Sequence, residues 1–169
     1  ELTQEIASER EIEVDLDGFR VEMDQQRDRA KQARKGGKVD DSQIATYRNI
    51  METHGVTSFV GYESVESSSK IVGLNESIFH DGCFEVFLDV TPFYAESGGQ
   101  VGDTGTISNA ECELEVLDTT FALPNLRMHL CRVVRGIPKL NSQVVATIND
   151  ARRTEIRRHH TATHMLHWA

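Results

Sequence analysis

The sequence predicts an α+β chain: helices first, then a small antiparallel β-barrel, then the start of a further helix-bearing unit. Three observations predict it. Apolar residues recur at helical spacing before Gly55, alternate strictly after it, and return to helical character near Asp150. The organisation expected from these changes is 1–55 helical, 56–150 barrel and 151–169 the beginning of another domain.

The first helix follows Asp15, a residue type that caps helices. The run "LDGFRVEMDQQRDRAKQARK" sets Leu16, Phe19, Met23 and Ala30 on one stripe. Acids crowd its first turns and Lys31, Arg34 and Lys35 its last, as the helix dipole favours, and Gly36-Gly37 ends it. "GGKVDD" reads as a linker. A second helix is expected from about Ser42 to His54, with Ile44, Tyr47 and Met51 on one face and Gly55 as its stop. Beyond it, "CFEVFLDV" (83–90) and "ECELEVLD" (111–118) alternate, the latter with Cys112, Leu114 and Val116 inward and its glutamates outward. Shorter strands are expected at 58–62, 69–74, 104–108, 128–134 and 143–149, punctuated by Gly, Asn, Pro and Asp as in a barrel or sandwich.

With 38% hydrophobic and 27% charged residues, the composition is that of a soluble globular chain. No apolar run approaches a membrane span. The start, "ELTQEIASER", is charged, carries no apolar leader and lacks Met, so the chain is expected to be an internal piece of a longer protein. Cys83, Cys112 and Cys131 are odd in number and lack a CxxC pair, which predicts reduced thiols in a cytoplasmic protein. The net charge of −9 speaks against nucleic-acid binding, but it is unevenly placed. Residues 1–30 hold ten acids against four arginines, whereas 151–169 hold Arg152, Arg153, Arg157 and Arg158 against Glu155 alone. A polyanion would be drawn to the C-terminal end.

Two stretches carry chemistry. In "RRTEIRRHHTATHMLHWA" (152–169), His160 and His164 stack on one face of a helix and can grip one metal ion, and His167 lies a turn further on. The metalloprotease motif puts Glu after its first His. Here Thr161 stands there, which excludes a protease. Zinc needs about four ligands, so two histidines are half a site, and a polar histidine face without metal stays open as an alternative. The second stretch, "DVTPFYAESGGQVGDTG" (89–105), combines Gly98-Gly99, an aromatic pair, Thr91 and Gln100. Paired glycines permit positive φ and close approach of another backbone, and Gln100 could orient a water or an ester. A plain tight turn explains the same residues.

Together these stretches resemble the alanyl-tRNA synthetase family. There, "TPFYAESGGQxGDTG" lies in a barrel ahead of an editing domain and "RRxxxxxxHTATHLLH" follows, matching "TPFYAESGGQVGDTG" from Thr91 and "RRTEIRRHHTATHMLH" from Arg152. The N-terminal "ELTQEIASEREIEVDLDGFRVEMDQQRDRAK" is similar to the end of that family's helical tRNA-recognition region, and the likeness is weakest over 36–85. His159 stands where the family usually has Asn, and Met165 where it has Leu.

The resemblance implies a translation-factor-like barrel followed by the first helix of an α/β editing domain. It also implies that the parent attaches alanine to its tRNA with ATP and Mg and hydrolyses mischarged seryl- and glycyl-tRNA. ATP-binding motifs would lie upstream of Glu1 and the remaining zinc ligands beyond Ala169. The implied partners are the tRNA for alanine, ATP and alanine, with no membrane and no DNA. The implied site residues are His160 and His164 for zinc, Thr91 for sensing the serine hydroxyl and Gln100 for ordering water. Gly98 and Gly99 would make room for the 3′-terminal adenosine, and Arg152, Arg153, Arg157 and Arg158 would meet phosphates. A free-standing editing hydrolase and a non-enzymatic RNA-binding barrel remain alternatives, the first disfavoured by the acidic helical region 1–35.

Overall fold

The computed structural model describes residues 18, 41–78 and 80–168, so the helix expected after Asp15 and its linker fall, but for Gly18, outside the described residues. The chain from Asp41 onward forms one compact unit. It is α+β, as expected: two helices and a closed six-stranded antiparallel barrel.

Helix α1 (Asp41–His54) ends as expected at Gly55, which takes φ of +81° and donates its N–H to Met51 O at 2.9 Å. The strands follow as β1 (Ser58–Phe59), β2 (Glu66–Glu76), β3 (Cys83–Leu88), β4 (Val90–Thr91), β5 (Gly105–Ser108), β6 (Glu113–Leu123), β7 (Leu126–Arg135) and β8 (Gln143–Ile148). Helix α2 (Asp150–Trp168) ends the described chain. The barrel closes in the order β2-β3-β7-β6-β5-β8, so none of these six strands is an edge strand. Strands β1 and β4 form a separate parallel pair. Ile71, Val86, Leu88, Ile107, Leu114, Val116, Cys131, Val144, Ala146 and Ile148 fill the interior, with Phe93 added from the segment after β4. Cys112, Leu114 and Val116 are buried as their alternation predicts.

The run 83–90 is not one strand. At Asp89 the carboxylate accepts the N–H groups of Lys70 and Val90, both at 2.7 Å, and the chain leaves the barrel to pair with β1 instead. Both faces of β3 are buried, against the expected alternation. Val86 and Leu88 face the interior, while Phe87 packs outside with Tyr47, Ile50, Val72 and Leu126 under α1. This packing also encloses Glu85, which is 1% exposed. Its carboxylate accepts hydrogen bonds from Tyr47 OH at 2.7 Å and Gln43 Nε2 at 3.0 Å, so a charged group becomes the pin between helix and barrel. Burial, with the bond to Glu85, raises the Tyr47 pKa far above the usual phenol value. Tyr47→Phe leaves this carboxylate short of a donor and is expected to cost about 1–3 kcal/mol, read as a lower urea midpoint with unchanged slope.

The long hairpin β6–β7 turns at Pro124-Asn125, where Asn125 takes φ of +66°. Asn149 caps α2: its Oδ1 accepts the N–H of Arg152 at 3.1 Å, and its own N–H is donated to Thr104 O at 2.7 Å. The helix that bears the histidines is thereby started from the barrel wall. Among the described residues, no helix is long and apolar enough to cross a membrane.

Candidate functional site

The segment 92–104 folds over one end of the barrel, and its base is closed by residues 94 and 103. Asp103 donates its N–H to Tyr94 O at 2.9 Å, and Tyr94 donates its N–H to Asp103 Oδ2 at 2.7 Å. At the tip, Ser97 and Gln100 exchange two backbone bonds, at 3.0 and 3.2 Å, across Gly98 and Gly99. With φ of +59° and +82° these glycines form the tight hairpin turn that requires positive φ at both central positions. A Cβ at either would meet nothing within 4 Å, so the turn stands in open space. Gly102 is different: a Cβ there would lie 2.2 Å from Thr119 O, so the loop seats against β6 only without a side chain.

Helix α2 is locked onto this loop by its first turn. Arg153 is 7% exposed. It pairs with Asp103 through Nε and Nη2, and donates Nη1 to Gly61 O at 2.7 Å and Nη2 to Pro92 O at 2.5 Å. Arg152 donates Nη1 to Gly102 O at 2.8 Å. These two arginines, expected to meet phosphates, bind the barrel, and Arg153 spends four of its five N–H donors on it. Arg157 and Arg158 are exposed. The sequence held no local sign of this division, because Asp103 lies 50 residues from Arg153.

The structure also gives the place of Thr91, the residue expected to sense the serine hydroxyl. It is wholly buried, and its hydroxyl bonds His129 Nε2 at 2.9 Å and accepts the N–H of Phe93 at 3.2 Å. His129, likewise buried, bonds Val86 O through Nδ1 at 2.9 Å. A carbonyl can only accept, so Nδ1 carries the proton and Nε2 accepts from Thr91. Thr91 and His129 form a wall element and have no hydroxyl or ring nitrogen left for a substrate.

Beside the clamp lies a cavity of about 260 Å³ lined by Phe59, Gly61, Tyr62, Tyr94, Gln100, Arg153 and Arg157. Gln100 and Arg157, singled out in sequence, meet here; the aromatic wall was not anticipated. Arg153, Arg157, His160 and His164 recur at intervals of four, three and four, which sets them on one stripe of α2. The stripe therefore runs from the clamp past the cavity to the histidines. The Nε2 atoms of His160 and His164 lie 3.0 Å apart. Two nitrogens about 2.0–2.1 Å from a tetrahedral zinc would be about 3.3 Å apart, so the pair fits two positions of such a site after a small opening. Among the described residues no group of three or more metal-ligand side chains is found.

Comparison with known proteins matches residues 1–152 to the family described as "tRNA synthetases class II (A)". The chain is 41% identical over 175 residues to the alanine–tRNA ligase of Pelotomaculum thermopropionicum, covering 100% of this chain and 20% of that protein. The alanine–tRNA ligase of Saccharopolyspora erythraea is 39% identical over 175 residues, with the same coverage. That of Salinispora tropica is 40% identical over 176 residues, covering 99% of this chain and 19% of the relative. The chain spans about a fifth of the length of the relatives it matches.

Proposed function

Because the chain belongs to the class II tRNA synthetase family, we propose that it is the barrel and the nearer half of the editing site of an alanine–tRNA ligase. The observation that supports this is the one stripe of α2 that carries Arg157, His160 and His164 past the cavity holding Gln100. In the whole protein, the proposal assigns attachment of alanine to its tRNA, with ATP and Mg, to segments that this chain does not span. It assigns hydrolysis of mischarged seryl- and glycyl-tRNA to the site begun here, in a cytoplasmic enzyme without membrane or DNA partners. The division 1–55, 56–150 and 151–169 is part of the same proposal.

A second site is needed for a physical reason. Alanine differs from glycine by a methyl and from serine by a hydroxyl, and a pocket gains only about 1–3 kcal/mol from such a difference. Zinc bound by His160 and His164 would supply Lewis acidity toward the aminoacyl ester. The Gln100 amide, able to donate and accept, orients water beside that ester. The open Gly98-Gly99 turn lets the RNA backbone approach, and the exposed Arg157 and Arg158 meet its phosphates. Arg152, Arg153 and Thr91 hold the wall against which this happens.

The test grafts residues 1–169 into the Pelotomaculum ligase in place of the matching segment. Gln100→Ala is then expected to slow seryl-tRNA hydrolysis roughly tenfold and to leave alanine attachment unchanged. Equal loss of both activities would mean that Gln100 only supports the fold. A graft that attaches alanine and hydrolyses no seryl-tRNA would favour an RNA-binding barrel.

A further inference from the structure

We propose that the cavity between Tyr62, Phe59, Tyr94, Gln100 and Arg157 is a stacking subsite for one nucleobase at the end of a single-stranded RNA. Tyr62 is the first reason. It is 86% exposed, an unusual position for a large ring, and it packs T-shaped with Phe59 at 5.0 Å and 82°. So exposed a ring leaves aromatic surface for a ligand, and stacking of a base on an aromatic side chain is worth about tenfold or more in affinity. Phe59 is the fixed part of the wall. Tyr94 meets it edge-on at 6.3 Å, and the Arg127 guanidinium lies 4.4 Å from its ring centre. Arg127 Nε is buried without a hydrogen-bond partner, and the guanidinium also lies 5.1 Å from the Phe121 ring centre, so this cation stands behind the aromatic wall.

The polar lining has the matching chemistry. Among the described residues no acid lines the cavity, although the chain carries a net charge of −9. Since Arg153 is buried and spends most of its donors on Asp103, Gly61 and Pro92, the exposed Arg157 is the lining cation better placed to face a phosphate. The Gln100 amide can pair with a base edge. At about 260 Å³ the cavity is smaller than the roughly 300–1,000 Å³ of sites for drug-sized ligands, a size for one nucleoside rather than a folded helix end. Three residues along α2, about 4.5 Å of rise beyond Arg157, His160 begins the histidine pair. Only the identification of the ligand as the acceptor end of a tRNA rests on the editing reading; the subsite does not.

Titration calorimetry of the 169-residue chain with adenosine monophosphate, and with a five-nucleotide RNA ending in adenosine, tests the proposal. Tyr62→Ala, at an exposed position, is expected to weaken both about tenfold or more, and Tyr62→Phe to stay within about twofold of the unchanged chain. Arg157→Gln is expected to weaken both probes and to flatten their salt dependence. Three results would each overturn the subsite: no binding of either probe at millimolar concentration, equal affinity of Tyr62→Ala and the unchanged chain, or inorganic phosphate displacing both probes at the same concentration as adenosine monophosphate. Loss of binding in Tyr62→Ala, alongside a graft that attaches alanine and hydrolyses no seryl-tRNA, would keep the subsite and remove the editing reading. The reverse pair of results would do the opposite.

Discussion

Arg153→Ala is expected to destabilise the chain by about 3–5 kcal/mol, the cost of removing one partner from a buried ion pair. Asp103 would keep a buried charge, 2% exposed, facing only the N–H of Tyr94. Gly61 O and Pro92 O would lose their donors at the same moment. For a chain of this length each kcal/mol lowers the melting temperature by roughly 2–4 °C, so a drop of about 6–20 °C is expected in a thermal scan. Arg153→Lys retains the charge but brings one ammonium to acceptors on three segments, and should recover only part of the loss. A cost below about 1 kcal/mol for Arg153→Ala would show that the clamp does not hold α2. The consequence reaches the site, because the same clamp sets the direction in which Arg157, His160 and His164 leave the barrel.

The second large effect is acid sensitivity through His129. Complete burial holds its pKa down at about 4, with the bond to Val86 O opposing this and nearby Arg127 adding to it. An unfolded imidazole titrates near 6.5. Between these values the unfolded chain takes up a proton that the folded chain refuses, so stability is complete above about pH 6.5 and is lost as pH falls toward 4. The full loss is about 3 kcal/mol, and about 2 kcal/mol of it should be gone by pH 5. Urea unfolding at pH 7.5 and pH 5 checks this against His129→Gln, which has no ring to protonate. His129→Gln should cost about 1–3 kcal/mol at pH 7.5, since the Val86 carbonyl loses its donor. It should then show a pH dependence smaller by about 2 kcal/mol. Identical pH dependence in the two chains would refute the assignment.

The resemblance carried by "TPFYAESGGQVGDTG" and "HTATHMLH" is upheld at the level of the family. Its residue roles fared unevenly in the geometry. Gln100 and Arg157 reach one cavity, and the histidine nitrogens approach within 3.0 Å, because a helical interval or a two-residue turn is a local property. Thr91 was given the serine hydroxyl only through the resemblance. Its burial against His129 depends on β3, β4 and β7 coming together, which no spacing along the chain announces. Tyr62 and Phe59 carried no motif, Tyr94 stood in the loop motif without a role, and only their convergence gives them one.

What the sequence alone determined is the kind of each element and the faces that short intervals align: the α1 stop at Gly55, the inward residues of β6, the Gly98-Gly99 turn and the stripe from Arg153 to His164. Only the tertiary structure decided which charges are partners and which are free. Asp103 takes Arg153 from 50 residues away, and Glu85 takes Tyr47 from 38. The reason is physical. Periodicity reports which side of an element avoids water, whereas pairing of buried charges depends on the register of strands that meet only once the barrel has closed.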